Sequence, residues 1–301
     1  MLSYAEQRRK LNIQVAKSLL LFLLALVVAG VSTYAWYVYN TSRYTTDVDM
    51  AAGSGKSLYI ADAYDGKYGS AIELKAFMGR LTPVSTNRIT GGFQKVKEFE
   101  FRSEGMDGMY ANVFERSNDT DYYMTSLYLR SDFDGADVYL SNIGFEDKDS
   151  ANPISSAIRV GLVVHSPGQN QGVADEHIFE ISQASNPKAK YNTATGSDGY
   201  VLDSSKTDGT TVPFSQLTSA NYCEYNKETG EVSLKAGSKK LLTLSGGGTG
   251  KDKMGTPVQV DVYVWLEGCD KDCTLNLVNT RLDSMSLEFA CYREEKKNAG
   301  N

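Results

Sequence analysis

Asp132-Phe133-Asp134-Gly135-Ala136-Asp137 is the stretch of this 301-residue chain best suited to holding a metal ion. Carboxylates alternating around a glycine turn can offer oxygen ligands to calcium, and Asp132, Asp134 and Asp137 are the ligands such a site would use. The stretch lacks the later glutamate of an EF-hand loop. A plain turn between a strand at Tyr122 to Arg130 and another at Val138 to Asn142 explains the same residues without an ion. Asp175-Glu176-His177 is a weaker grouping, and with only His165 and His177 in the chain no HExxH zinc helix exists. Cys223, Cys269, Cys273 and Cys291 allow three disulfide pairings. A Cys269 to Cys273 bridge would remove about 2 kcal/mol of unfolded-chain entropy and a Cys223 to Cys291 bridge about 4 kcal/mol. Reduced, buried thiols are the competing reading, above all for Cys291 on an apolar strand face. Structural zinc usually needs paired hooks, whereas here one CxxxC accompanies two isolated cysteines.

Phosphate and nucleophile chemistry find less support. In AAGSGKS, Ala51 to Ser57, Met50 stands where a phosphate loop needs its first glycine, and SLYIAD then extends as a strand instead of opening a helix. SGGGTGK, Ser245 to Lys251, has Ser245 in the first glycine position and Asp252 where Ser or Thr should follow. Both read as connections between strands. There is no GxSxG elbow, and Ser166 directly follows His165, so on a strand end the two side chains point apart. These residues predict a protein that is not an enzyme and carries no cofactor, calcium at the aspartate turn excepted.

Where this chemistry would sit depends on residues 18–39. No side chain from Ser18 to Ser42 is charged, while Arg8, Arg9, Lys10 and Lys17 lie on the N-terminal side. The leucines, valines and phenylalanine between Leu19 and Val31 contribute about −3 to −6 kcal/mol toward bilayer insertion, and the basic flank stays cytoplasmic. Residues 1–17 are therefore expected to be a cytoplasmic basic head, 18–39 a transmembrane signal-anchor or a signal peptide, and 40–301 an extracellular domain. Thr33 and Ala35 have the spacing a signal peptidase reads, with cleavage before Trp36; the aromatic run Trp36, Tyr37 and Tyr39 equally suits the interface of a retained helix. Either way the remainder lies on the outer side of the cell membrane or is secreted to the cell surface. The chain carries −6 overall and residues 1–17 hold four basic side chains against Glu6, so the rest carries about −9. Such a surface repels nucleic acid and excludes it as a partner.

After residue 40 no long helical period appears. Ala71 to Phe77, Phe93 to Arg102, Met109 to Glu115 and Tyr122 to Arg130 alternate in polarity between Gly, Asn and Asp clusters. Tyr123, Thr125, Leu127 and Leu129 share one face of a strand, and so do Ile158, Val160, Leu162 and Val164. In PVQVDVYVWLEG, Val258, Val260, Val262, Val264 and Leu266 face one way and Gln259, Asp261, Tyr263, Trp265 and Glu267 the other, which predicts a central core strand. Met285, Leu287, Phe289 and Cys291 form a returning strand beyond the loop at 268–274. The pattern predicts an all-β ectodomain of β-sandwich or jelly-roll type after a single N-terminal hydrophobic helix. Residues 182–212, rich in Gly, Ser, Thr and Asp, read as a polar insertion.

GVSTYAWYVYNTS, followed by VDMAAGSGKSLYIADAYDGKYGSAIEL, resembles the start of a group of Gram-positive, Firmicute-type surface proteins. The small-x-Ala-aromatic junction is similar to that of the TasA/camelysin biofilm-matrix family, over residues 1–75, with fainter likeness in AIRVGLVV and VYVWLEGCDKDC. The resemblance implies secretion, a β-sandwich and matrix assembly, and carries over no active-site residue; the metalloprotease chemistry of a camelysin lacks its histidines here. The expectation is a structural or adhesive surface protein that touches the membrane through its N-terminal helix and self-assembles by β-strand addition, with a monomeric membrane-anchored glycan- or peptide-binding module as the alternative and a surface hydrolase as a remoter one.

Overall fold

The computed structural model describes residues 57–74, 77, 79–96, 114–145, 153–181, 223–226, 228–229, 231–247, 253–270, 272–278, 280–282 and 285–292, with 15, 17–18, 49–52, 200–202, 205 and 211–213. The chain divides into two compact units, Met1–Thr46 and Asp47–Asn301. In the first, Val15, Lys17 and Ser18 have helical backbone and are exposed. The expected membrane segment and the Thr33, Ala35, Trp36 junction otherwise lie outside the described residues. Among those residues no helix is long and apolar enough to cross a membrane.

The second unit is all-β. Its strands, in chain order, are β1 Asp49–Ala52, β2 Leu58–Ala61, β3 Ala71–Glu73, β4 Pro83–Ser85, β5 Gln94–Val96, β6 Phe114–Arg116, β7 Tyr123–Ser131, β8 Ala136–Phe145, β9 Ile158–His165, β10 Val173–Glu180, β11 Tyr200–Leu202, β12 Thr211–Pro213, β13 Glu224–Tyr225, β14 Val232–Ser233, β15 Lys240–Leu244, β16 Val258–Glu267 and β17 Met285–Tyr292. One sheet runs β15-β8-β17-β1-β3. The larger sheet centres on β16, which pairs antiparallel with β9 on one side and β7 on the other, and parallel with β4 at its end. β10 closes that sheet beyond β9, β2 lies beyond β7, and β5 and β6 continue from β4. The ladder β11-β12, at the polar insertion, and the ladder β13-β14 are not hydrogen-bonded into either sheet, and Tyr225 and Val232 of the latter pack against Tyr139 and Ala290 of the smaller sheet.

Alternation explains the core. Val258, Val260, Val262 and Val264 of β16, Leu127 and Leu129 of β7, and Ile158, Val160 and Leu162 of β9 point to one face of the larger sheet; Val138, Leu140 and Ile143 of β8 and Met285, Leu287 and Phe289 of β17 do so from the other sheet. All belong to one apolar cluster. The second faces of β9 and β16 are covered too. Ile89, in a 3-10 turn at Ile89–Gly91, sits over Gly161, where an added Cβ would lie 2.4 Å from its Cδ1 and 2.9 Å from Trp265 Cζ3. The turn is tied down by Glu176, whose carboxylate accepts from Thr90 N at 2.9 Å and pairs with Arg88 at 3.7 Å. β9 and β16, for which alternation marked one apolar face, are therefore buried on both at this end, because a connecting segment crosses them.

The first strand occupies an interior place. β1 runs parallel to β17, with Ala51 opposite Glu288, and antiparallel to β3, with Met50 opposite Ile72. The N-terminal strand of this unit thus fills a slot between the C-terminal strand and β3.

Candidate functional site

The face of the larger sheet turned away from the shared core carries the most chemistry. Position alternation sends Ser126 and Tyr128 of β7, Gln259, Asp261 and Tyr263 of β16, and His165 of β9 to that face. Asp261 collects three contacts: Ser126 Oγ donates to Oδ1 at 2.6 Å, Gln259 Nε2 donates to Oδ1 at 2.8 Å, and His165 Nε2 lies 2.7 Å from Oδ2. Tyr128 in turn donates to Gln259 Oε1 at 3.3 Å. His165 Nδ1 is 2.9 Å from the Gln171 carbonyl oxygen. Both ring partners are acceptors, so a ring making both bonds carries a proton on each nitrogen.

The order of contacts decides what this group can do. Asp261 stands between Ser126 and His165, so the histidine has no hold on the serine proton and the three residues do not form a nucleophile-base pair. The arrangement is a polar network that orders the surface. Around it lie half-buried tyrosines: Tyr59, Tyr64 against Tyr128 at 6.0 Å between centroids, Tyr68 under the Arg130 guanidinium at 4.2 Å, and Tyr122 6.0 Å from Tyr263. Phe93 stacks on Tyr122 at 4.3 Å and meets Trp265 edge-on at 5.1 Å. Burial pushes the Tyr68 and Tyr122 phenols up to about 12, so both remain hydrogen-bond donors. Flat rings interspersed with amide and hydroxyl groups suit stacking and hydrogen bonding to an uncharged polar ligand.

Compared with protein-family models, with curated proteins and with solved structures, the chain matches none. What it can do is therefore argued from its own residues.

At the far end of β16 the network gives way to buried charge. Arg159, fully buried on β9, places Nη2 2.5 Å from Asp270 Oδ2 and 2.8 Å from Glu180 Oε1. Glu267, also fully buried, accepts from Trp265 Nε1 at 3.0 Å and from the Cys269 backbone N–H at 3.1 Å. Three carboxylates share one guanidinium, which stays charged. Desolvation therefore drives a proton onto the group: it raises Asp270, and raises Glu267 to about 7, the Arg159 charge opposing it in both.

Glu267→Gln tests this. A carboxyl raised from about 4.5 unfolded to about 7 folded gives stability that is complete below about 4.5 and lost as pH rises through 7. The variant should be spared that loss. Its unfolding free energy relative to wild type should move in its favour by about 3 kcal/mol between pH 4 and pH 8, read from urea denaturation at each pH. An unchanged difference across that range refutes the assignment.

The sequence-predicted residues are only partly brought together. The turn between β7 and β8 holds Asp132, Asp134 and Asp137, but their contacts diverge. Asp132 Oδ2 accepts from the Tyr59 hydroxyl at 3.4 Å, Asp134 Oδ1 lies 3.5 Å from Gly246 N, and Asp137 Oδ1 accepts from Thr243 at 2.5 Å and pairs with Lys240 at 3.3 Å. Among the described residues no three His, Cys, Asp or Glu side chains are grouped to hold a metal. All four cysteines are free thiols. Cys269 and Cys273 are buried within the same turn, where Cys273 N donates to the Asp270 carbonyl at 3.0 Å and burial pushes both thiols well up. Cys223 and Cys291 are not brought together. Cys223 packs with Tyr139 and Ala290, while Cys291, the next residue on β17, points through the sheet to the shared core.

Proposed function

We propose that this is a cell-surface structural or adhesive protein, held at the membrane by residues 18–39 or released by cleavage before Trp36, whose two sheets pack as a β-sandwich of jelly-roll type and whose copies associate by β-strand addition. The seating of β1 carries this reading. A four-residue strand directly after the boundary between the two units fills an interior slot, bonded through its backbone to β17 and β3. The same segment from a neighbouring copy would make the same main-chain bonds, which is how strand addition gains affinity without side-chain specificity. The N-terminal likeness to the TasA/camelysin matrix proteins supports it.

Intact mass and N-terminal sequencing of the protein from cell surface and medium establish whether the chain starts at Trp36. Sedimentation of chains beginning at residues 36 and 53 then tests assembly: the first should form polymers, the second should not, and a peptide spanning 36–52 should cap the second as a monomer. Polymers of the shorter chain equal to those of the longer would refute strand addition.

The tyrosine face favours a second reading, a monomeric anchored module binding a glycan or a peptide. On that reading both chains stay monomeric.

A further inference from the structure

His177 is 2% exposed and sits where the terminal strands of the two sheets meet. It belongs to β10, the last strand of the larger sheet, and its Nε2 lies 3.4 Å from the Leu241 carbonyl oxygen of β15, the last strand of the smaller one. Asp175 Oδ2 is also 3.4 Å from Nε2, on a side chain that is 60% exposed. The other ring nitrogen, Nδ1, is buried without a hydrogen-bond partner among the described residues. Phe179 lies beside the ring at 6.4 Å, and Leu162 of β9 is its cross-strand neighbour.

We propose that His177 is an acid-sensitive latch: protonation of its ring opens the seam between β10 and β15 and frees the terminal strands of both sheets. The geometry gives the mechanism. A neutral ring needs only one donor contact, which Nε2–H finds at the Leu241 carbonyl, while the Nδ1 lone pair rests in an apolar setting. Adding a proton at Nδ1 creates a second N–H that faces no acceptor, on a cation shut away from water. Swinging the ring out into solvent relieves both costs, and the contact to Leu241 goes with it.

The charged groups acting on the ring are Asp175 and Glu176 on its own strand and Lys239 just ahead of β15. Desolvation is the largest influence and lowers the pKa, Lys239 lowers it further, and Asp175, Glu176 and the Leu241 carbonyl oppose without reversing the direction. A histidine depressed on folding contributes stability that is complete above its unfolded value, about 6.5, and is lost as pH falls through the lower folded value. The window therefore opens on the acid side of about 6.5. This is opposite in sign to Glu267. The latch does not depend on the assembly reading, since seam opening is a property of the single chain.

Hydrogen exchange of the full chain, corrected for intrinsic rates and compared between pH 7 and pH 5, tests it. In the wild type, protection at 173–180 and 240–244 should fall at least about tenfold relative to β7, β16 and β17. In His177→Gln, which can still donate to the Leu241 carbonyl but cannot be protonated, that selective fall should disappear. Glu267, whose carboxyl burial raises to about 7, is present in both chains and cancels. An equal selective fall in the variant, or a fall spread evenly over all strands, overturns the proposal. Should His177→Gln fail to fold, the His177 ring signals of the wild type decide by NMR titration. A midpoint below about 6.5 that coincides with loss of the β10 amides supports the latch, and a midpoint at or above 6.5 overturns it.

Discussion

Arg159→Met should lower the unfolding free energy by about 3–5 kcal/mol at pH 8, the largest loss expected for any single charge among the described residues. Methionine keeps much of the apolar stem, so packing along β9 changes little. What disappears is the cation that Asp270, Glu180 and Glu267 share. Asp270 and Glu267 are buried and have no access to bulk water, so the folded state must either hold uncompensated charge or bind protons. Proton uptake sets the pH dependence. The variant's folded state binds more protons than its unfolded chain up to higher pH than before, so its stability rises as pH falls and the deficit against wild type should shrink toward pH 4. Urea denaturation at pH 4, 6 and 8 measures this. A deficit below 1 kcal/mol at pH 8, or one that does not narrow on acidification, would falsify the role given to Arg159.

Trp265→Ala should cost a similar amount, about 3–5 kcal/mol, through a different cause. Trp265 is fully buried on the second face of β16. Its ring supports Phe93 at 5.1 Å and lies close to the Ile89 methyl over Gly161, so truncation leaves a void under the crossing segment. It also removes the Nε1–H that donates to Glu267 at 3.0 Å. Trp265→Phe separates the two effects: it restores most of the volume but not the donor, and should lose only about 1–3 kcal/mol. If alanine and phenylalanine variants unfold at the same urea midpoint, the void contributes little and the hydrogen bond carries the effect.

Much of this fold was legible as alternation. Val258 to Glu267 form β16 with the predicted faces, Tyr123, Thr125, Leu127 and Leu129 are buried together on β7, and Met285 to Tyr292 return to the opposite sheet as β17. Period-two patterning reports one apolar face, and in each of these strands that face is buried. It does not report what crosses the other face. Ile89 to Phe93 have no period, and only the glycine inside the apolar run at 157–164 hinted that something approaches β9 closely.

The buried charges were legible in part. Arg159 stands as a lone cation within AIRVGLVV, a signal that partners must exist, but Glu180, Glu267 and Asp270 reach it through pairing between strands remote in sequence. The His165–Asp261–Ser126 contacts come from three different strands for the same reason. The cysteines follow the competing reading of free thiols: Cys291 lies on the apolar face that alternation assigned to it, while Cys223 meets Ala290 on the other side of the sheet.

The place of β1 also sets a clock. β3 follows β1 within about 20 residues, but β17, its other neighbour, begins about 230 residues later, so during synthesis that edge of β1 waits until the last large strand has emerged. At typical elongation of roughly 5–20 residues per second this interval lasts on the order of 10–50 s. Closing so long a loop is also entropically slow. Throughout that time β1 is paired on its β3 side only, and on the strand-addition proposal a neighbouring copy with an empty slot competes for its open edge. If copies associate by strand addition as proposed, local concentration of nascent chains, more than the strength of the strand contact, governs whether each molecule completes itself or its neighbour.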